Sequence, residues 1–437
     1  MPRRREPETA RIESVTPDGR GVAAGTGKRV LIAGALDGET VKFLRRRSRR
    51  KFDEAELLEV LDASPQRIAA RCAVFGRCGG CALQHVSDTQ QRAMKFQTLK
   101  DSLERIGRVQ PARWLEPIVG PAWNYRRRAR LAVKDVPGKG RVLVGFRERL
   151  APFVTDMHRC EILAKPVDAL FDPLSELIGA LSIQARLPQI EVAVADNATA
   201  LVFRVLDTPS ADDTAKLRAF AEAQGIRLYL QPGGLDTVAL LYPDDPIEPL
   251  YYSLSEFDVR IAFEPHGFVQ VNGVINERMV AAAIDLLEPA PDDRVLDLYC
   301  GIGNFSLPLA QRAGSVVGID VDAALVRAAE ENARRNNVDN ASFRVADLDA
   351  IESNEQALVG DWDRVLLDPA RDGAAAIVHG IGALAPRRIV YVSCHPGTLA
   401  RDAGTLVAAA GYRLDAAGII DMFPHTSHVE SVAVFSK

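Results

Sequence analysis

No run of about eighteen uninterrupted apolar residues occurs anywhere in the 437-residue chain, so no membrane-spanning helix is expected. The opening Met1-Pro2-Arg3-Arg4-Arg5 lacks the apolar h-region of a secretory leader, which argues for a cytoplasmic protein. Internal repeats and long low-complexity segments are also missing, which excludes repeat architectures. Cysteine is scarce, six in all, and in a reducing cytosol disulfide pairing is not expected. What remains is an ordinary globular composition, 47% hydrophobic and 26% charged. The length exceeds one typical core and predicts two or three domains.

The net charge of −4 conceals an asymmetry. Residues 1–51 carry 14 Lys and Arg against 6 Asp and Glu, densest in Arg45-Arg46-Arg47-Ser48-Arg49-Arg50-Lys51. A second run, Arg126 to Arg130, precedes a strand-like segment. Such clusters attract phosphates through counterion release whatever the charge of the whole. They are either an RNA-positioning surface or a solvated basic face.

Three segments in the C-terminal part carry chemistry. In Val390-Tyr391-Val392-Ser393-Cys394-His395-Pro396 a β-branched and aromatic strand delivers a thiol to its carboxyl end, where open α/β sheets keep their sites. Cys394 is a candidate nucleophile; alone, it reads equally as a core cysteine. In Val295-Leu296-Asp297-Leu298-Tyr299-Cys300-Gly301-Ile302-Gly303-Asn304 an apolar strand meets a glycine turn and then a helical pattern. Asp320 ends the next strand nineteen positions after Gly301, the offset at which a carboxylate reaches a ribose hydroxyl. Ser306 stands where a dinucleotide fingerprint needs its third glycine. Asp297 puts negative charge beside the turn, which repels a pyrophosphate and suits the cation of S-adenosylmethionine. Glu430 stands at the beginning of the last apolar run, which ends at Phe435, and burial there makes a carboxylate a usable base.

Cys72, Cys78 and Cys81 form a C-x5-C-x2-C group among glycines, with Cys160 much later. Four thiolates suit zinc or an iron–sulfur cluster, and spacing alone does not choose between them.

Residues 1–63 read as short strands broken by glycine turns, among them Ala10–Val15, Glu39–Leu44 and Glu56–Leu61, an OB-like barrel of the kind that binds nucleic acid. Residues 64–265 alternate strands with helices at Val167–Leu181 and Ala211–Gln224, an α+β pattern; a helical stretch 88–106 is free to pack on the catalytic domain. Residues 266–437 alternate as a doubly wound, Rossmann-like α/β domain.

The glycine turn, Leu367-Asp368-Pro369, Ser393-Cys394-His395-Pro396 and the His425 to Glu430 stretch, in that order, resemble the RNA uracil-5-methyltransferase family, and the N-terminal half resembles its 23S ribosomal RNA branch. The resemblance implies a TRAM-type barrel and a [4Fe-4S] cluster on Cys72, Cys78, Cys81 and Cys160. It further implies a monomer with Cys394 adding to C6 of uracil and Glu430 removing the C5 proton. For S-adenosylmethionine it implies contacts from Gln270, Tyr299, Asn304, Asp320 and Asp347, with Asp368 orienting cofactor or base. Gln270 is expected on an alternating strand, and Asp347 is read either as an adenine contact or as a helix cap. Phe268 is a candidate stacking platform, or a core aromatic. Two departures are visible: Ala370 where the family has proline, and His395 where it has Asn or Asp. Other readings are a tRNA uracil-5 or RNA cytosine-5 methyltransferase, or a non-catalytic RNA-binding iron–sulfur module.

Overall fold

The computed structural model describes residues 6–24, 27–149, 151–245, 247–350 and 358–437. The first basic triplet, Arg3 to Arg5, lies outside them. Five strands, β1 (Glu8–Val15), β2 (Arg20–Ala23), β3 (Arg29–Ala33), β4 (Thr40–Ser48) and β5 (Phe52–Asp62), close into a barrel in the order β1-β2-β3-β5-β4. Alternating Val30, Ile32, Val41, Phe43 and Ala55 fill its interior, as a closed sheet of period two requires.

Strand β4 runs on through Arg45 to Ser48, and β5 begins at Phe52, so most of the dense basic run is strand. Arg45 bonds Glu8 at 2.8 Å and Asp53 at 2.6 Å, Arg46 pairs with Glu56, and Arg49 lies 3.5 Å from Glu54. Arg45, Arg46 and Arg49 thus have cross-strand carboxylate partners, while Arg46 and Arg49 remain about half exposed.

Helix α1 (Asp88–Ser102) follows, capped by Ser87, then a wider turn at Leu103–Gly107 and the two-residue β6 (Arg113–Trp114). The central sheet has the order β12-β11-β10-β9-β7-β8, from β7 (Arg128–Val136), β8 (Arg141–Gly145), β9 (Gln189–Val194), β10 (Thr199–Arg204), β11 (Arg227–Gln231) and β12 (Ala239–Tyr242). Helices α2 (Phe171–Gly179) and α3 (Ala211–Gln224) accompany it. The helix expected from Val167 starts only at Phe171, after a separate tight turn at Val167–Ala169. Pro173 is the reason, since its ring is tolerated only in a first turn. The second basic run is tied down on β7: Arg127 bonds Asp196 at 2.6 Å, Arg130 bonds Glu191 at 2.9 Å, and Arg128 reaches the Pro265 carbonyl.

A hairpin, β13 (Leu250–Leu254) and β14 (Val259–Phe263), leads to α4 (Gly273–Leu287). The last sheet is built from β15 (Arg294–Leu298), β16 (Ser315–Asp320), β17 (Ala341–Val345), β18 (Arg364–Leu367), β19 (Arg388–Ser393), β20 (Arg413–Ile420) and β21 (Glu430–Ser436). With β6 at its edge the order is β17-β16-β15-β18-β19-β21-β20-β6, parallel as far as β19. Helices α5 (Ser306–Ala310), α6 (Ala323–Arg335), α7 (Ala375–Leu384) and α8 (Pro396–Ala408) cross between strands. Both faces are covered, which is why Val365 to Leu367 and Ile389 to Val392 are apolar at every position.

Hydrophobic packing crosses the division at 265. Tyr252, Leu254, Phe257 and Ile261 share one core with α4 and β15, and Leu99 and Leu103 share another with β19 and α8. Where α8 crosses the turn after α1, a side chain on Gly404 would sit 2.7 Å from the Gly107 carbonyl, so only glycine permits that crossing. No helix among the described residues is long and apolar enough to cross a membrane.

Candidate active site

Strand order reverses between β16 and β18, on either side of β15, and the crevice beyond the carboxyl ends of these strands is where an open α/β sheet binds ligands. Tyr299 turns the chain out of β15 at φ +66°, with its N–H and that of Cys300 both donating to the Ile319 carbonyl. Gly301 and Gly303 follow at φ +54° and +93°, and open space lies where a Gly301 side chain would project. Asp320, at the end of β16, accepts from the Gly301 N–H at 3.0 Å and from the Asp322 N–H at 3.0 Å.

Beneath the turn Asp297 is fully buried, with Ser306 donating to one carboxylate oxygen and the other oxygen without a partner. Burial first, and then the charges of Asp368 and Asp320, push its carboxyl up to about 7, while the Ser306 bond opposes them. The Tyr299 hydroxyl is a second buried polar atom with no partner. An unpartnered carboxylate oxygen, an unpartnered hydroxyl and an open glycine turn fit a ligand with a cationic end and a nucleoside end.

Three expected cofactor contacts are differently employed. The Asn304 side chain exchanges bonds with Asn276 at 2.9 and 3.0 Å and accepts from the Tyr252 hydroxyl at 2.8 Å, which leaves one N–H free of these bonds. Asp347 is exposed and accepts from the Asp349 and Ala350 N–H groups at 2.9 and 3.3 Å, closing a local turn. Gln270 lies on irregular backbone between β14 and α4; the expected strand is absent there because Pro265 and Gly267 turn the chain. Phe268 on the same segment is 74% exposed, so the core reading does not hold for it.

The reactive edge lies on β19 and β21. Ser393 pairs with Ser431 in antiparallel register, which sets Cys394 and Glu430 on the same end of neighbouring strands. Glu430 is 3% exposed; burial, reinforced by Asp368 and opposed by Arg371, raises its carboxyl to about 8. Burial likewise takes Asp368 to about 7. Cys394 is pushed up to about 11 by burial and by the charges of Glu430 and Asp368, against Arg371. Burial beside two carboxyls therefore favours the thiol over the thiolate at this position.

Arg371 and His428 both lie in motif stretches, just after Leu367-Asp368-Pro369 and within His425 to Glu430, yet neither is a candidate site residue in the sequence reading. The Arg371 guanidinium stands 3.0 Å from His428 Nδ1, and its charge acts on both Cys394 and Glu430. The signal for Arg371 is its place three residues after Asp368, in a stretch that departs from the family at Ala370, and for His428 its place in the His425 to Glu430 stretch. That alanine closes a turn through its carbonyl to the Gly373 N–H without needing a proline ring. The other departure, His395, caps α8, its Nδ1 accepting from the Thr398 N–H at 3.2 Å, the service an Asn or Asp would perform.

The four cysteines meet in space. Cys72, Cys78, Cys81 and Cys160 line one small cavity, with the Gly80 N–H 3.4 Å from Cys78 Sγ. Burial raises all four thiols, Cys81 to about 11 and Cys160 to about 12, and their mutual proximity adds to it for Cys78, Cys81 and Cys160. Among the described residues no three ligating side chains close around a single ion.

Fold and site together define a nucleoside-binding α/β methyltransferase domain with a thiol and a buried carboxyl at its reactive edge. Residues 199–437 match the family described as tRNA (Uracil-5-)-methyltransferase. A 23S rRNA (uracil(1939)-C(5))-methyltransferase RlmD from Alkalilimnicola ehrlichii is 49% identical over 99% of this chain and 97% of that protein. The protein of the same name from Methylococcus capsulatus is 47% identical over 99% and 97%. The crystal structure of Pyrococcus abyssi tRNA (uracil-54, C5)-methyltransferase with S-adenosyl-L-homocysteine superposes with a TM-score of 0.74 at 26% identity, covering 98% of this chain and 100% of that one. The chain belongs to the RNA uracil-5-methyltransferase family, whose members are S-adenosylmethionine-dependent enzymes.

Proposed function

We propose that this protein methylates C5 of one uridine in 23S ribosomal RNA, acting as a cytoplasmic monomer. The observation that carries the reading is the placement of Cys394 beside Glu430 at the carboxyl edge of the sheet that also bears the Gly301 turn. Ribosomal RNA as substrate draws its support from the relatives matched over nearly the whole chain.

Cys394 sulfur would add to C6 of the uracil, its proton passing to solvent water, and would move an electron pair through C5 to the C4 oxygen. S-adenosylmethionine, when bound, would supply the methyl group that C5 takes up, leaving S-adenosylhomocysteine. Glu430 accepts the C5 proton, and the electron pair left behind expels the Cys394 thiolate and restores the ring double bond. Asp320 would hold the ribose and Asp297 the cationic end of the donor, with Tyr299 and the remaining Asn304 N–H beside them. Gln270 and Asp347 would complete that pocket, and Asp368 would orient the base. Phe268 would stack on a base splayed from the RNA.

The cysteine cavity would hold a [4Fe-4S] cluster. Four thiols spaced around one cavity, with a backbone N–H directed at sulfur, suit a polynuclear group. The barrel would then be the TRAM-type RNA-binding module. Mapping 5-methyluridine in ribosomal and transfer RNA from cells lacking the protein tests the substrate. Loss of one modified site in 23S RNA is expected. Loss from tRNA instead would favour the activity named for the Pyrococcus structure.

A further inference from the structure

The loop between β20 and β21, residues 421–429, ends at Glu430, and three separate elements grip it. From α1, Lys95 is 2% exposed and donates to Asp421 at 2.7 Å and to the Phe423 carbonyl at 2.9 Å. From the central domain, the Tyr125 hydroxyl donates to the Pro424 carbonyl at 3.0 Å, and Trp123 stacks on His425 with ring centres 3.9 Å apart. The third grip comes from the cysteine segment. Ala82 and Leu83, immediately after Cys81, both donate their N–H groups to the His425 carbonyl, at 2.8 and 3.0 Å.

His425 is the residue on which these converge. It is 2% exposed and sits at φ +65°, a conformation a non-glycine residue holds only when its surroundings fix it. Buried Gln91 does so from both sides, accepting from the His425 N–H at 2.8 Å and approaching Nδ1 with its amide nitrogen at 3.2 Å. The same amide donates to the Val86 carbonyl at 2.8 Å, which ties the arrangement back to the cysteine segment. Farther along the loop His428 meets Arg371, whose charge bears on Cys394 and Glu430.

We propose that Gln91 and His425 are positioning residues, a clamp that fastens the loop bearing Glu430 to the cysteine segment, so that the cysteine site serves as the abutment for proton removal from C5. The inference rests on the reading of Glu430 as the base. It gives the cysteine segment a role in the reaction through one peptide step from Cys81 to Ala82, without any electron transfer.

The test compares Gln91→Ala, His425→Ala and His425→Asn in the full-length protein, with Glu430→Gln alongside and 23S RNA as substrate. Loosening the clamp should slow turnover by about tenfold to about a hundredfold, the range expected for a misplaced catalytic group. KM for S-adenosylmethionine should stay within about twofold, since uniform binding is untouched. A denaturation-resistant protein–RNA band should build up in both alanine variants, because addition and methyl transfer outrun proton removal. Asparagine tolerates positive φ and offers a polar group to Gln91, so His425→Asn should recover most of the rate and lose the band. Thermal melting identifies any variant that does not fold, in which case the folded members of the set decide the matter. Folded alanine variants that turn over normally, or slow down without accumulating adduct, overturn the clamp while adduct in Glu430→Gln leaves the base assignment standing. Absence of adduct in Glu430→Gln removes the base, and the clamp with it.

Discussion

Ser431 donates its hydroxyl to the Ser393 carbonyl at 3.2 Å across the β19–β21 ladder. That bond locks the register in which the next residue on one strand, Cys394, and the preceding residue on the other, Glu430, emerge side by side. A slip by one residue would turn every side chain of β21 to the opposite face and separate the pair.

Cys394→Ala should abolish methyl transfer while S-adenosylmethionine binding, measured by calorimetry, stays close to wild type. The thiol lies at the end of β19 and the glycine turn follows β15. Transfer above a few per cent of the normal rate in the variant would take Cys394 out of the reaction.

Glu430→Gln should trap methylated RNA on the enzyme, because the amide cannot accept the C5 proton. A covalent band on denaturing gels is the readout, and normal turnover with no band assigns the base elsewhere.

The pH dependence follows from three buried carboxyls, Asp297 and Asp368 raised to about 7 and Glu430 to about 8. Each keeps its proton when folded at a pH where the unfolded chain has released it, so the folded state binds more protons and stability falls as pH rises from the ordinary carboxylate range up to these values. Melting temperature of the ligand-free protein should therefore drop between about pH 4 and about pH 8, less steeply in Glu430→Gln. Breakdown of the adduct should run the opposite way, speeding up as Glu430 ionises through about 8. A flat melting profile over that range contradicts the burial of these groups as acids.

Anaerobic purification should yield iron and sulfide bound through Cys72, Cys78, Cys81 and Cys160, both absent from a Cys81→Ser variant. Stoichiometric zinc without sulfide sinks the cluster.

On the barrel, Arg47 and Arg50 are exposed and make no ion pair among the described residues, whereas Arg45 joins Glu8 and Asp53. Arg47→Ala with Arg50→Ala should shallow the slope of log K against log salt for RNA by about two, one for each phosphate no longer neutralised. Arg45→Ala should instead lower the melting temperature of the barrel. An unchanged slope in the first variant would leave these arginines as solvated surface.

The sequence disclosed what depends on strand periodicity. Asp320, Asp368, Cys394 and Glu430 each end or begin an apolar run, so their place at the sheet's edge could be read directly. It concealed what depends on partners far off in the chain. Asn304 is occupied by Tyr252 and Asn276, contributed by a hairpin and a helix that no local pattern links to the glycine turn. The ion pairs of the β4 arginines were hidden for the same reason, since their carboxylates arrive from β1 and β5. Arg371 was in view as part of a motif, but its contact with His428 arises only when β21 closes beside β19.

The pairing of β6 with β20 also sets an order of events in the cell. Arg113 leaves the ribosome about three hundred residues before Ala416, the strand position it lies against, is made. Leu99 and Leu103 likewise have no β19 or α8 to cover them until residues 388–408 are made. So widely separated a contact is slow to form, and its entropy is recovered only at the end. The grip of α1 on the Glu430 loop therefore exists only after the last strands have been made, and a chain released before β20 and β21 cannot assemble its reactive edge.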